Sequence, residues 1–172
     1  MTEGGRAFAV ALQRLRENGL QPKGLGTYDE SDVARLETRL GVRLPPSYRA
    51  MLLDFGSLRF EGMEFYGLVP GGHDAVGIPN VVFATESDRA SGAISPAMVH
   101  INQSGYGPFF VLDCSAPDDE GEAPVYEIQI SGTAFGQEHV APSFGAFVLG
   151  EVEGLLRSEG LQDGRGSPRW HG

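Results

Sequence analysis

The sequence predicts an α+β fold with N-terminal helices, a mostly antiparallel central sheet and a closing C-terminal helix. Apolar residues recur at helical spacing in the first third, and short apolar stretches bounded by turn residues follow. The strongest helical period comes last, before a glycine-rich end. The 172 residues are divided into an N-terminal helix and linker at 1–26, a main domain at 27–159 and a flexible tail at 160–172.

The first predicted helix carries Phe8, Leu12 and Leu15 on one face, with Asn18-Gly19 at its end. Residues 21–26 are rich in glycine and contain a proline, so they are predicted to form a linker. Glycine closes a helix because it readily adopts the left-handed conformation that the last turn requires.

Two more helices are predicted before residue 57. Thr27 and Glu30 have the spacing of a capping box, in which each side chain bonds the other residue's backbone N–H. Pro45-Pro46 fits a first helical turn, where a missing N–H costs nothing. The apolar stripes are Val33, Leu36 and Leu40 before Gly41, and Tyr48, Met51, Leu52 and Phe55 before Gly56.

The period then changes to short strands separated by turns. Asn80 is predicted to cap a helix at 81–90, and Ser143 a last helix with the stripe Phe144, Phe147, Val148, Val152, Leu155 and Leu156. In the strand at 125–130, Tyr126, Ile128 and Ile130 are predicted to share one face. The predicted strands are 58–60, 63–68, 98–103, 109–113, 125–130 and an edge strand at 135–140.

The net charge is −10, and its distribution is uneven. Residues 1–60 sum to +2 and residues 61–172 to −12, and no Lys or Arg occurs between residues 90 and 156. An acidic surface repels phosphate backbones and attracts basic partners, so direct nucleic-acid binding is not expected. Acidity that only maintains solubility is the alternative explanation.

No constellation of residues predicts catalysis. The single cysteine, Cys114, excludes an internal disulfide and a Cys-rich zinc site, and it is interpreted as a small buried thiol. His73 and His100 are interpreted as structural, and the residues from Gly105 to Gly107 as a hairpin turn, since no helix and lysine follow as in a phosphate loop. The acidic residues at 118–122 lack the spacing of a calcium loop. We therefore expect no enzyme activity, no cofactor and no metal.

Four motifs in order resemble the SUKH superfamily, which contains a yeast cell-wall-synthesis regulator and many bacterial immunity proteins. The first combines a helix bearing Glu37 with Leu40-Gly41, Leu44-Pro45 and Tyr48. The others are the residues 101–113, ending in Asp113, then Pro124-Val125-Tyr126, and the Ser143-Phe144 helix start. Where many members carry Asn-Gly after the third helix, this chain has Phe55-Gly56-Ser57. The resemblance spans about residues 28–157.

The resemblance implies an α+β fold and a binding role. The leading hypothesis is a bacterial immunity protein that neutralises a polymorphic toxin, with a basic nuclease domain as the expected partner; the alternative is a non-catalytic scaffold or regulatory module. The sequence shows neither a signal peptide nor a transmembrane segment, so we expect a cytoplasmic monomer or weak dimer that does not bind membranes. The predicted partner contacts are Tyr106, Asp118, Asp119, Glu120, Glu122 and Glu127.

Overall fold

The fold combines helices with two antiparallel sheets, which confirms the predicted α+β class. The computed structural model describes residues 1–131 and 134–160, with Ala134 and Phe135 described by their backbone alone. All of the predicted tail except Gly160 lies outside these residues. The helices are α1 (Glu3–Glu17), α2 (Glu30–Leu40), α3 (Pro46–Phe55), α4 (Val81–Ser91) and α5 (Phe144–Ser158). The strands are β1 (Lys23–Gly24), β2 (Leu58–Phe60), β3 (Met63–Phe65), β4 (Met98–Gln103), β5 (Phe109–Asp113), β6 (Val125–Ser131) and β7 (Ala134–Ala141).

The strands form a small sheet in the order β1-β2-β3 and a larger one in the order β4-β5-β6-β7. The linker prediction for residues 21–26 is corrected here, because Lys23 and Gly24 pair with β2. The strand predicted at 63–68 is shorter, since it ends at Phe65. Just beyond it, the N–H of Tyr66 donates to the carbonyl of Ile101 in β4 at 2.8 Å, which joins the two sheets.

The predicted helix ends at Gly41, Asn80 and Ser143 are confirmed. Gly41 closes α2 at a φ of 69°, and the side chains of Asn80 and Ser143 accept the capping hydrogen bonds of α4 and α5. The predicted capping box of α2 is wrong. Asp29 caps the helix and exchanges hydrogen bonds with Asp32, three residues later, because the chain enters the helix two residues later than predicted.

The main hydrophobic core lies between the helices and the larger sheet. The N-terminal helix belongs to this core, since Phe8, Ala11 and Leu15 are buried in it. Helix α1 packs along α5, where a Cβ at Gly145 would stand 1.8 Å from the carbonyl oxygen of Gly4. The close packing of these two helices therefore depends on glycine at their contact point.

The two faces of the larger sheet pack against different apolar groups. Val125 is buried in the main core, whereas Ile128 belongs to a smaller cluster with Phe109 and Val111. Tyr126 packs against the same cluster as Ile128, as the predicted shared face requires, whereas Ile130, near the end of β6, is 52% exposed. The register pairs Phe109 with Ile128, so residues 129–131 extend beyond the start of β5. No helix in the described ranges has the length and apolar character needed to cross a bilayer.

Candidate functional site

The acidic loop, defined as residues 114–124 between β5 and β6, is held in a fixed conformation by its own hydrogen bonds. Oδ1 of Asp118 accepts from the backbone N–H of Glu120 at 2.8 Å and of Glu122 at 2.9 Å. The N–H of Gly121 donates to the carbonyl of Asp118 at 3.0 Å. Asp118, Asp119 and Glu120 are exposed, and Oε1 of Glu120 accepts from the backbone N–H of Glu3 at 3.0 Å.

Glu122, in the same loop, points inward and is only 1% exposed. Its Oε1 accepts from Oγ1 of Thr2 at 2.9 Å and from the N–H of Ser47 at 2.8 Å, and its Oε2 accepts from Oγ of Ser47 at 2.8 Å. The prediction of Glu122 as a partner contact is therefore corrected. A buried carboxylate needs this set of donors to offset its desolvation, and they hold it away from the surface.

Three helix N-termini converge on this carboxylate. Thr2 caps α1 and Ser47 lies in the first turn of α3. Oγ of Ser47 also accepts from the N–H of Gly145 at 3.0 Å, which brings in the start of α5. Helix N-termini carry partial positive charge, so a buried negative charge is stabilised where they meet. Glu122 thus anchors the acidic loop to the helical layer.

The exposed part of the acidic loop borders an open cleft of about 1180 Å³. Its other wall is built from α2, the α2–α3 connection and α3. The residues nearest the core in this cleft are apolar, and Leu44 and Ala123 among them are buried. Asp118, Asp119 and Glu120 all contribute to its lining, so three of the predicted contacts share one site.

The helical wall of the cleft carries an ion-pair network. Nη1 of Arg49 donates to Oε1 of Glu37 at 2.9 Å, and Nη2 of Arg49 pairs with Glu30. The other oxygen of Glu37 accepts from the N–H of Leu44 at 2.7 Å. Glu37 therefore fixes the α2–α3 connection as well as the position of Arg49.

Comparison with protein-family models shows which family the chain belongs to. The model of the SMI1 / KNR4 family (SUKH-1) matches residues 27–150, most of the described fold. The chain belongs to the SUKH-1 family. A comparison with curated proteins finds no match. SUKH-1 domains are generally non-catalytic immunity or interaction domains, so the family supports a protein partner.

The residues of the first SUKH motif serve the fold. Glu37 holds the connection that contains Leu44 and Pro45, as described above. The buried Tyr48 donates from its hydroxyl to the carbonyl of Tyr66 at 2.7 Å, which ties α3 to the chain beyond β3. Burial raises the pKa of Tyr48 well above its usual value. These motif residues explain the architecture, whereas the acidic loop is the part that the sequence predicted as a contact surface.

The remaining predicted contacts lie away from the cleft of the SUKH-1 domain. Tyr106 occupies the turn between β4 and β5 and is 93% exposed. That turn precedes Phe109, whereas the acidic loop follows Asp113 at the other end of β5. A strand of this length separates its two ends by about 13 Å. Glu127 lies within β6, opposite Glu138 of β7. The predicted contacts therefore do not form one patch.

Cys114 lines the cleft, but its chemistry is unsuited to nucleophilic attack. Burial, together with the neighbouring Asp113 carboxylate, raises the pKa of the thiol to about 12, so the reactive thiolate is scarce at neutral pH. No histidine lines the cleft within the described ranges. Those ranges also hold no cluster of three or more His, Cys, Asp or Glu residues that could bind a metal ion.

One buried contact of the SUKH-1 domain is invisible in the sequence pattern. Nδ1 of His100 on β4 pairs with the carboxylate of Asp88 on α4, and the imidazole ring lies 4.5 Å from the ring of Phe109. The backbone N–H of His100 donates to Oγ1 of Thr85 at 3.0 Å. These contacts join α4 to β4, in agreement with the structural interpretation of His100.

Proposed function

We propose that this SUKH-1 protein is a bacterial immunity protein that binds and neutralises a cognate polymorphic toxin. The observation that carries the proposal is the exposed acidic turn, Asp118 to Glu120, on the rim of an open cleft. The family to which the chain belongs supports a protein-binding role for this surface. The partner is expected to be a basic nuclease domain, because nucleases need positive surfaces to hold phosphate.

Charge complementarity supports this partner in two ways. An acidic protein can occupy the surface with which a nuclease otherwise binds the phosphate backbone of its nucleic-acid substrate. The long-range attraction also accelerates encounter, and the acceleration decreases as salt screens the charges. The long segment without Lys or Arg, residues 90–156, contains the acidic loop. We place the encounter in the cytoplasm, with the protein acting as a monomer or weak dimer.

Co-expression with the toxin encoded by the neighbouring gene tests the proposal. Cells that produce the toxin alone are expected to stop growing, and cells that also produce this protein are expected to recover. The purified pair is expected to form a complex whose association rate falls several-fold between roughly 50 and 300 mM salt. Failure to restore growth, together with the lack of a complex, would exclude the immunity function for that toxin.

A scaffold or regulatory role is the second candidate, favoured by the SMI1 / KNR4 description of the matching family. A scaffold binds several unrelated partners, whereas an immunity protein binds one toxin tightly. Affinity purification of the tagged protein from its own cells distinguishes the two. One dominant basic partner supports immunity, and several housekeeping partners at comparable yield support a scaffold.

A further inference from the structure

The cleft between the acidic loop and α2–α3 has the size of a site for a protein segment. Sites for small molecules occupy roughly 300–1,000 Å³, and this cleft measures about 1180 Å³. It is bounded on one side by Thr38 and Arg43 and on the other by residues 117–121. An extended stretch of several residues can therefore lie between the two walls.

The floor of the cleft is apolar. Side chains from three different parts of the chain meet there, and all of them also pack against the main core. Because the core fixes them from behind, the floor is already in place before anything binds, and burying apolar surface on it is favourable. The floor residues are Val42, Leu44, Ala50, Leu53, Cys114 and Ala123.

The rim of the cleft is acidic on balance. Five carboxylates and two guanidinium groups contribute to the lining. One of those guanidinium groups, on Arg49, is paired with Glu30 and Glu37, so the helical wall is largely neutralised. The opposite wall carries Asp118 and Asp119 without any basic residue in the loop. The negative potential is therefore concentrated on the acidic-loop side.

The acidic wall is also prepared for binding. Asp118 holds the turn through the backbone N–H groups of Glu120 and Glu122, and buried Glu122 fixes the loop to three helices. A loop backbone held in place loses little conformational freedom when a ligand arrives. Arg43 is exposed on the opposite wall, where it repels a cation. This asymmetry directs the cationic end of an occupant toward Asp119 and Glu120.

We propose that the cleft binds an extended segment of the protein partner that alternates apolar and basic side chains. The apolar side chains lie on the floor, and a Lys or Arg side chain reaches Asp119 and Glu120. The inference rests on the proposed function, because it names the surface that receives the toxin and the chemistry of the segment that fills it. It adds a prediction that can be measured without the toxin.

The probe is an acetylated and amidated hexapeptide of alternating leucine and arginine, LRLRLR. Titration into the ¹⁵N-labelled full-length protein is expected to produce saturable shifts in the backbone amides of residues 37–53 and 114–123. Two control peptides separate the contributions. GRGRGR keeps the charge but lacks the apolar side chains, and it is expected to bind at least several-fold more weakly. LELELE reverses the charge and is expected to give no saturable shift.

A pair of matched variants tests the acidic wall. The double substitution Asp119→Lys with Glu120→Lys is expected to weaken LRLRLR binding by roughly tenfold or more, since two attractive contacts become repulsive. Glu61→Lys with Glu138→Lys makes the same change in net charge at two exposed positions outside the cleft, and it is expected to leave the affinity within about twofold. If the lysine variant unfolds, the milder pair Asp119→Asn and Glu120→Gln replaces it. Its affinity for LRLRLR is expected to lie between those of the two lysine pairs.

Each outcome has a defined consequence. Shifts confined to other surfaces, equal binding of LELELE, or equal losses in the two lysine pairs would overturn the cleft proposal. If LRLRLR binds the cleft while co-expression fails to protect cells, the cleft stands and the immunity function fails. If the protein protects cells and the cleft variants protect equally well, the immunity function stands and the cleft proposal is lost.

Discussion

The two ends of the four-stranded sheet are built in opposite ways. At one end, the acidic loop after β5 is anchored through Glu122 to the starts of α1 and α3, and Ser47 extends this network to the start of α5. At the other end, the β4–β5 turn carries the exposed Tyr106, and β6 extends past its neighbour with Ile130 half exposed. Both ends contain residues that the sequence predicted as partner contacts. Among the described residues, only the first end combines a charged surface with a fixed backbone and a cleft.

The difference shows that the charge of a residue does not reveal its role. Glu120 and Glu122 are two positions apart in one loop, yet Glu120 is exposed and Glu122 is only 1% exposed. Fixed anchoring of the loop base allows its tip to present charge at a defined position. If anchoring causes this contrast, substitutions at the anchored end should lower stability more than substitutions at the opposite end.

Removal of the Glu122 carboxylate should have the largest effect. Glu122→Ala leaves the N–H of Ser47 and the hydroxyl of Thr2 without their acceptor, and it is expected to lower the free energy of unfolding by about 3–5 kcal/mol. Urea unfolding followed by circular dichroism measures the loss. The control Asp119→Ala, in the exposed turn, should remain within about 0.5 kcal/mol. Equal losses in the two variants would contradict the buried anchoring role.

A methyl group at Gly145 is expected to have the next largest effect. Gly145→Ala would place a Cβ 1.8 Å from the carbonyl oxygen of Gly4, which forces α1 and α5 apart. The expected cost is about 2–3 kcal/mol, in the range for overpacked sites. Gly150→Ala is the matched control on the same helix, where the Cβ would meet open space. It should stabilise the protein by about 0.5–1 kcal/mol, because alanine favours a helix.

Alkaline pH should destabilise the protein gradually. Burial raises the pKa values of Tyr66 and Cys114 to about 12 and that of Tyr48 well above its usual value. In the unfolded chain these groups lose their protons at about pH 8.5–10. Their stabilising contribution is therefore complete below about pH 8.5 and is lost as the pH rises toward 12. Urea midpoints between pH 7 and 10.5 should fall, with a smaller slope in Cys114→Ala. A midpoint that rises over this range would contradict the prediction.

The smallest effect is expected at the opposite end of the sheet. Tyr106 is 93% exposed, so Tyr106→Ala should change the free energy of unfolding by less than about 0.5 kcal/mol. It should also leave the affinity for LRLRLR within about twofold, since the turn lies beyond the far end of β5. A loss comparable with that of the acidic-wall variant would show that the two ends of the sheet act as one binding surface.

Much of the fold could be predicted from local patterns. Helical spacing gave the apolar faces of α1, α2 and α5, because the side chains involved lie within a few turns of one another. The cap of α2 was misplaced, since both Thr27 and Asp29 are good capping residues and only the path of the chain selects one. In the same way, Lys23–Gly24 form a strand through pairing with β2, although their composition is that of a linker.

The candidate site was predicted only in part. The acidity of residues 118–120 could be predicted because charged residues are identified directly from the sequence. Glu37 was visible as a family motif, but its contact with Arg49 across the α2–α3 connection was not. Tyr106 was grouped with the acidic loop because both lie in the segment without Lys or Arg, residues 90–156, whereas strand β5 separates them by its full length.

The sequence by itself determined the α+β class, the helix faces, the hairpins, the acidic second half and the resemblance to SUKH proteins, which the family match at residues 27–150 confirms. Only the tertiary structure decided which acidic residue is an anchor. The partners of Glu122 lie 120 residues away at Thr2 and 75 residues away at Ser47. A carboxylate becomes structural when folding brings donors to it and removes water, and no local pattern records donors so far along the chain.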